Sequence, residues 1–352
     1  MSGIHERPGV YSVYDASTVA PAGGAVKAIG VAARAAGGAV GKPVTVTGYA
    51  AGAAAFGEDE TPGMSTILRL LFAGGASVVT AVRVADEGAA EDYRRAFETL
   101  GKEDVQILVC DSGEEEVHRA LRAAVEEASA LRHERIAVAG CSGADPEELV
   151  RRAGELNCER VVLVGPDVLD SGGRALPGVF GAAAAAALAA AGGDPAVPLN
   201  GGTLRGLGGV SQDYGEGDID RLVRGGVTPL ECAGGVVSPV RGVTTRTKTG
   251  GVSDATWREL TTILIVDDVI PAVRAALRGK FARSKNNARN RAAIRSQVIV
   301  ELEKKLAAEV IDGYDGVTVT ASEEDPTVCL VEFSFSVAHG LNQVRLTVHV
   351  EI

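Results

Sequence analysis

The chain has 352 residues, 46% apolar and only 4% aromatic, with a formal net charge of -11. That length can bury ample core without disulfide or metal staples, and the acidic balance argues against nucleic-acid binding by the surface as a whole. The longest apolar block, Ala182 to Ala191, is too short and too alanine-rich to span a bilayer, so no membrane partner is expected.

The amino end, MSGIHERPGV, lacks the basic and apolar blocks of a signal peptide, so synthesis in the cytoplasm is expected. Cys110, Cys141, Cys158, Cys232 and Cys329 are odd in number and widely spaced, and no CxxC occurs. They read as small buried hydrophobes, with neither a disulfide framework nor a metal implied.

Arg7-Pro8-Gly9-Val10-Tyr11-Ser12-Val13-Tyr14 opens with helix breakers followed by β-formers, which predicts an extended arm over residues 1–20. Buried strands are expected at Ala28 to Ala32 and Val44 to Val46. Between them, Gly37 to Pro43 glances at a phosphate loop, but its first glycine is misplaced and Pro43 stands where a magnesium-binding hydroxyl belongs. No nucleotide or other cofactor is expected.

From Met64 the pattern becomes regular. Helices are predicted at Met64 to Phe72, Ala89 to Leu100, Glu114 to Leu131 and Asp145 to Leu156. Strands are predicted at Val78 to Val84, Val105 to Cys110, Arg135 to Ala139 and Val161 to Val164. Short apolar runs alternating with amphipathic helices mark a mostly parallel sheet covered on both faces, so an α/β domain is expected over residues 21–195. Such sheets bind ligands beyond the carboxyl ends of their strands, which nominates Asp111, Ser112, Cys141, Ser142 and Asp167. The competing reading is that these residues only turn the chain, since neither GxGxxG nor GxSxG is present. His118 and His133 lie among charged neighbours and are expected on a solvated face.

The run Val179 to Ala191 predicts a closely packed helix stopped by Gly192-Gly193, and Asp194-Pro195 opens a new region. There the texture turns to glycine-rich turns and strands, including Val227 to Leu230 and Val236 to Thr247. Thr261 to Val266 reads as a strand, with Asp267 and Asp268 capping a helix to about Leu277. A helix from about Ala288 to Ile311 carries an apolar stripe, and strands at Val317 to Thr320 and Val328 to Val337 complete an α+β module over residues 196–342.

Charge is unevenly spread. Asp86 to Asp170 holds 21 acidic and 10 basic residues, whereas Arg274 to Lys305 holds 10 basic and 2 acidic. The basic residues Arg274, Arg278, Lys280, Arg283, Lys285, Arg289, Arg291 and Arg295 are open to three readings: a solvated helix face, a surface for an acidic partner, or direct DNA binding. No aromatic stacking residues lie among the arginines, which disfavours DNA.

The last stretch, LNQVRLTVHVEI, places Val344, Leu346, Val348, Val350 and Ile352 on every second position. This is the period of a half-buried strand, and it predicts a carboxyl-terminal strand arm over residues 343–352 that pairs with another subunit. Burying five such side chains gains about 1.5 to 3 kcal/mol each, while ordering the backbone costs about 1 to 2 kcal/mol per residue. The two are of similar size, so one arm alone binds weakly and a repeated lattice of arms binds firmly.

An ordered series of motifs carries a family resemblance across nearly the whole chain. It includes Arg7-Pro8-Gly9-Val10-Tyr11, Phe56-Gly57, Phe72-Ala73-Gly74-Gly75 and Val82-Arg83-Val84. It continues through Pro198-Leu199-Asn200-Gly201, Gly226 to Leu230, Val240 to Thr247, Trp257 to Leu260, Lys285-Asn286-Asn287, Glu324-Asp325-Pro326 and the closing strand. In these the chain resembles the contractile tail sheath proteins of myovirus-type phages and phage-tail-like bacteriocins, without a large inserted outer domain.

The resemblance implies a structural subunit rather than an enzyme, forming hexameric rings stacked helically around a tail tube. It implies tube, baseplate and tail terminator partners, no cofactor, and assembly into a virion or tail-like particle. It also implies a subtilisin-like α/β fold without the protease residues, and strand exchange between subunits through Val10, Tyr11, Val13, Val344, Leu346, Val348, Val350 and Ile352. The basic segment would then line the inside of the sheath.

Overall fold

The computed structural model describes residues 27–342. The strand-pairing residues expected in both arms, Val10, Tyr11, Val13, Val344, Leu346, Val348, Val350 and Ile352, lie outside the described residues.

The chain begins with β1 (Ile29–Ala33), β2 (Pro43–Val46), α1 (Tyr49–Phe56), α2 (Met64–Ala73) and β3 (Val79–Arg83). It alternates through α3 (Ala90–Leu100), β4 (Ile107–Cys110), α4 (Glu115–Ala130), β5 (Ile136–Gly140), α5 (Pro146–Leu156) and β6 (Val161–Gly165). Short strands β7 (Val168–Asp170) and β8 (Ala175–Leu176) lead to α6 (Gly178–Ala191). Next come β9 (Leu207–Val210), α7 (Glu216–Arg224), β10 (Val227–Ala233), β11 (Val236–Pro239), β12 (Lys248–Thr249) and β13 (Val252–Ser253). The rest is α8 (Leu260–Phe281), α9 (Ala288–Ala307), β14 (Gly313–Ala321) and β15 (Cys329–Ser336).

The main sheet has eight strands in the order β11-β10-β6-β5-β4-β1-β3-β2. The six inner strands are parallel, and β11 and β2 close the edges antiparallel. Side chains alternate between two cores, as the period of a strand requires. Ile29, Val31 and Ala33 enter one core with α1, α2 and α6, while Ala32 joins α3, α4 and α5 in the other. The expected α/β class and largely parallel sheet are therefore present.

Close backbone approach fixes one corner. A Cβ on Gly140, at the end of β5, would lie 2.2 Å from the carbonyl oxygen of Gly178, where α6 begins. The hairpin between β10 and β11 turns on Gly234 and Gly235, with φ of 60° and 80°, a left-handed pair that suits a two-residue loop.

Four expectations need correction. The predicted strand Thr261 to Val266 is the first third of α8, because a helix buried on all sides shows no polar period to separate it from a buried strand. Pro271 sits inside this helix and removes the bond to the carbonyl of Asp267, yet packing carries the helix through. The expected strand to Thr247 ends at Pro239. The helix expected to reach Ile311 stops at Ala307, followed by Glu309 with φ of 54°. The break expected at residue 195 is not a break in the sheet, since β10 and β11 come from beyond it.

Helix α8 also joins the molecule's parts. Leu260, Ile263, Leu264, Val266 and Ile270 pack into the sheet core, while Ile265, Val269, Val273 and Leu277 form a third core with Val298 and Leu302 of α9 and Val317 of β14.

Candidate assembly interface

Two charged contacts lock α8 onto the amino ends of the sheet strands. Arg160, before β6, donates through both terminal nitrogens to Asp267, at 2.7 and 3.0 Å, with 4% and 10% of the side chains exposed. Burial pushes the Asp267 carboxyl above its ordinary range against the pull of Arg160. Arg274 donates to Glu134 at 2.6 and 3.2 Å, and Lys305 of α9 pairs with Asp268.

Arg274 is thus turned inward, whereas Arg278, Lys280, Arg283, Lys285, Arg289 and Arg295 are exposed around the far end of the α8–α9 pair. Arg291 is half-buried and donates to Asn286 at 2.9 Å, and Arg295 donates to the carbonyl of Val317 at 2.8 Å. Lys280 donates to Gln297. The N-cap of α9 is Asn287, which accepts from the backbone N–H of Asn290 at 2.9 Å.

The basic tip has an acidic neighbour that the linear sequence keeps apart. The side-chain amide of Asn286 donates to the carbonyls of Pro326 and Val328, at 2.9 and 3.0 Å. This clasp brings the turn holding Glu323, Glu324 and Asp325 beside the loop holding Arg283 and Lys285. Asn286 lies between lysine and asparagine in a polar run, so only its long-range partners distinguish it.

Strands β14 and β15 form a two-stranded ribbon. Val331, Phe333 and Phe335 are half-buried toward the third core, and Leu330, Glu332, Ser334 and Ser336 face outward. A bulge interrupts the register between Asp315 and Thr318. Among the described residues no further strand pairs with either side of the ribbon, so its outer backbone groups are available to an added strand.

The crevice nominated in the sequence lies where the chain's connections diverge, between β1 and β4. It is a cleft of about 380 Å³ lined by Arg34, Tyr93, Asp111, Ser112, Glu114 and Ser142 among others. Asp111 accepts from the Tyr93 hydroxyl at 2.5 Å and from Nε of Arg34 at 2.9 Å. Burial first, then the neighbouring carboxylate, raises the Tyr93 phenol.

Asp167 accepts from the backbone N–H groups of Gly178 and Gly143, at 2.6 and 3.0 Å. Burial pushes the Cys141 thiol up to about 11, which keeps it from acting as a thiolate nucleophile at neutral pH. His118 is buried, contrary to the expected solvated face, and its Nε2 meets the carbonyl of Ser112 at 3.1 Å rather than a hydroxyl. Asp111 and Asp167 are therefore occupied in holding strand ends and loops together, whereas Ser142 is exposed at the cleft. Among the described residues no cluster of three or more metal-ligating side chains occurs, and no helix is long and apolar enough to cross a membrane.

Comparison with known proteins matches two family models, the phage tail sheath protein central domain over residues 87–245 and the phage tail sheath C-terminal domain over residues 252–351. The tail sheath protein of Bacillus phage SP01 is 28% identical over 262 residues, covering 72% of this chain. The chain spans 44% of that relative's length.

Among solved structures, the helical sheath of the anti-feeding prophage in its contracted state matches with a TM-score of 0.73 and 15% identity, over 99% of this chain and 100% of that one. The sheath tail protein of Desulfitobacterium hafniense matches at 0.71 and 11%, over 94% and 100%. The sheath complex of an extracellular contractile injection system, PVC, in its contracted state matches at 0.68 and 14%, over 100% and 99%. These likenesses carry the fold, and the two family models together carry the membership: the chain belongs to the phage tail sheath protein family.

Proposed function

We propose that this chain is the structural subunit of a contractile tail sheath, which polymerises helically around a tail tube and contracts to drive the tube through a target envelope. The observation that carries this reading is the two-stranded ribbon whose edges no further strand pairs with among the described residues, set on a body that matches sheath domains over most of its length. Strand addition at such an edge supplies a ladder of backbone bonds between subunits while their bodies stay free to reorient.

In this reading the terminal arms, through Val10, Tyr11, Val13, Val344, Leu346, Val348, Val350 and Ile352, dock on a neighbour's ribbon. Hexameric rings stack into the sheath, with the tube inside and baseplate and terminator proteins at its ends. Synthesis is in the host cytoplasm, and the protein is not an enzyme. The α/β body resembles a subtilisin-like fold in architecture only. The exposed members of the basic tip, with Arg291 behind them, face the tube. Arg274 leaves that set because Glu134 already holds it. Exposed charge contacts are individually weak and salt-sensitive, which suits an interface that must release.

Deleting residues 344–352 is expected to leave a folded, soluble protein that no longer forms tubes or stacked rings in negative-stain micrographs. Tubes from the truncated chain would overturn strand exchange as the joint.

A further inference from the structure

The two ends of the described chain meet the body at one short connection, the stretch from the end of α6 to the start of the next turn, residues 190–202. At the amino end, the backbone N–H of Lys27 donates to the carbonyl of Ala190 at 3.4 Å, and the backbone N–H of Ala28 is held by the side-chain oxygen of Gln106 at 2.9 Å. Lys27 is surrounded by the charges of Asp268, Asp267 and Asp194. At the carboxyl end, Gly340 lies so close to Pro198 that a Cβ there would come within 2.8 Å of its ring.

Asn200 is the centre of this arrangement. Its Oδ1 accepts from the backbone N–H of Gly242 at 3.2 Å, and its Nδ2 donates to Oδ1 of Asn342 at 2.6 Å. The Gly242 N–H can only donate, so it fixes which end of the Asn200 amide is oxygen and leaves the nitrogen for Asn342. Gly201 adds a backbone bond to the carbonyl of Pro239 at 2.9 Å, tying the same turn to the end of β11.

We propose that residues 190–202 are a shared anchor for both terminal segments, with Asn200 the positioning residue that clasps the carboxyl segment at Asn342. Tension on the carboxyl segment then reaches the body beside β11, at the edge of the main sheet, and the amino segment, which runs on into β1, is tied to the same connection at Ala190. This inference rests on the sheath reading for its purpose, but the clasp itself is a property of the single subunit.

The test uses the full chain with Asn200→Leu, Asn342→Leu, the double variant and Asn342→Asp. Leucine at 342 removes the acceptor, whereas aspartate keeps an oxygen facing Nδ2 of Asn200. Losing one such bond is expected to raise the protein concentration needed for polymerisation about fivefold, with Asn342→Asp within about twofold of the parent. In the unpolymerised subunit the double variant should melt where Asn200→Leu melts, because the second change finds its partner already gone. Additive melting losses, or polymerisation of Asn342→Leu at the parent's threshold, would overturn the clasp. A parent chain that never polymerises would instead overturn the sheath reading, and the melting comparison would still judge the clasp.

Discussion

His118 is 2% exposed on α4, and burial lowers its imidazole from 6.5 to about 4. The folded protein holds this ring neutral while the unfolded chain takes up a proton near pH 6.5, so the contribution is full above that pH. It erodes by about 1.4 kcal/mol per pH unit as the pH falls toward 4. Chemical denaturation of the parent and of His118→Gln between pH 7 and 4.5 should show a flatter loss in the variant, since glutamine can still donate to Ser112. Equal slopes would assign the acid sensitivity to other groups. The burial of His118 was legible in spacing, because His118, Leu121, Val125 and Ala128 fall on one helix face. Its charged neighbours in sequence lie on the other faces and misdirect the reading. The contacts of Asn286 with Pro326, Asn200 with Gly242 and Arg160 with Asp267 are a different matter: each spans 40 or more residues, and no local pattern encodes them.

At the scale of elements, the alternation from β3 to β6 was readable because short, largely apolar strands are separated by helices with one polar side and a clear period. Helix α7 and the first third of α8 were not. The nine residues of α7 follow a glycine-rich stretch that looks like loop, and α8 has apolar residues on both of its packed faces with a β-branched start, Thr261-Thr262-Ile263. The Arg160–Asp267 pair shows what this costs to disturb. Asp267→Ala leaves a buried guanidinium without its carboxylate, and a loss of about 3 to 5 kcal/mol is expected in urea denaturation. The double variant Arg160→Leu with Asp267→Leu should recover part of that loss. A single variant as stable as the parent would show that the pair is solvated in solution.

The molecule as a whole is divided by sequence similarity near residue 250 but not by its packing. Five apolar side chains of α8 sit in the sheet core, on the far side of that division. Residues 252–342 expressed alone would expose Leu260, Ile263, Leu264, Val266 and Ile270 together, and aggregation or a molten state is expected by light scattering and near-ultraviolet circular dichroism. A soluble, cooperatively melting fragment would show that the third core suffices by itself.

Because α8 is fixed at one end in the sheet and carries the basic loop at the other, it is a lever arm. Its 22 residues span about 33 Å. Pro271 removes one axial bond, but the Arg274–Glu134 pair and the third core brace the helix beyond it, so a slight tilt of the sheet is delivered at the far end as a sweep of the tip. The ends gathered beside residues 190–202 are the fulcrum side of that lever, and small adjustments there are magnified where Arg283, Lys285 and Arg289 project.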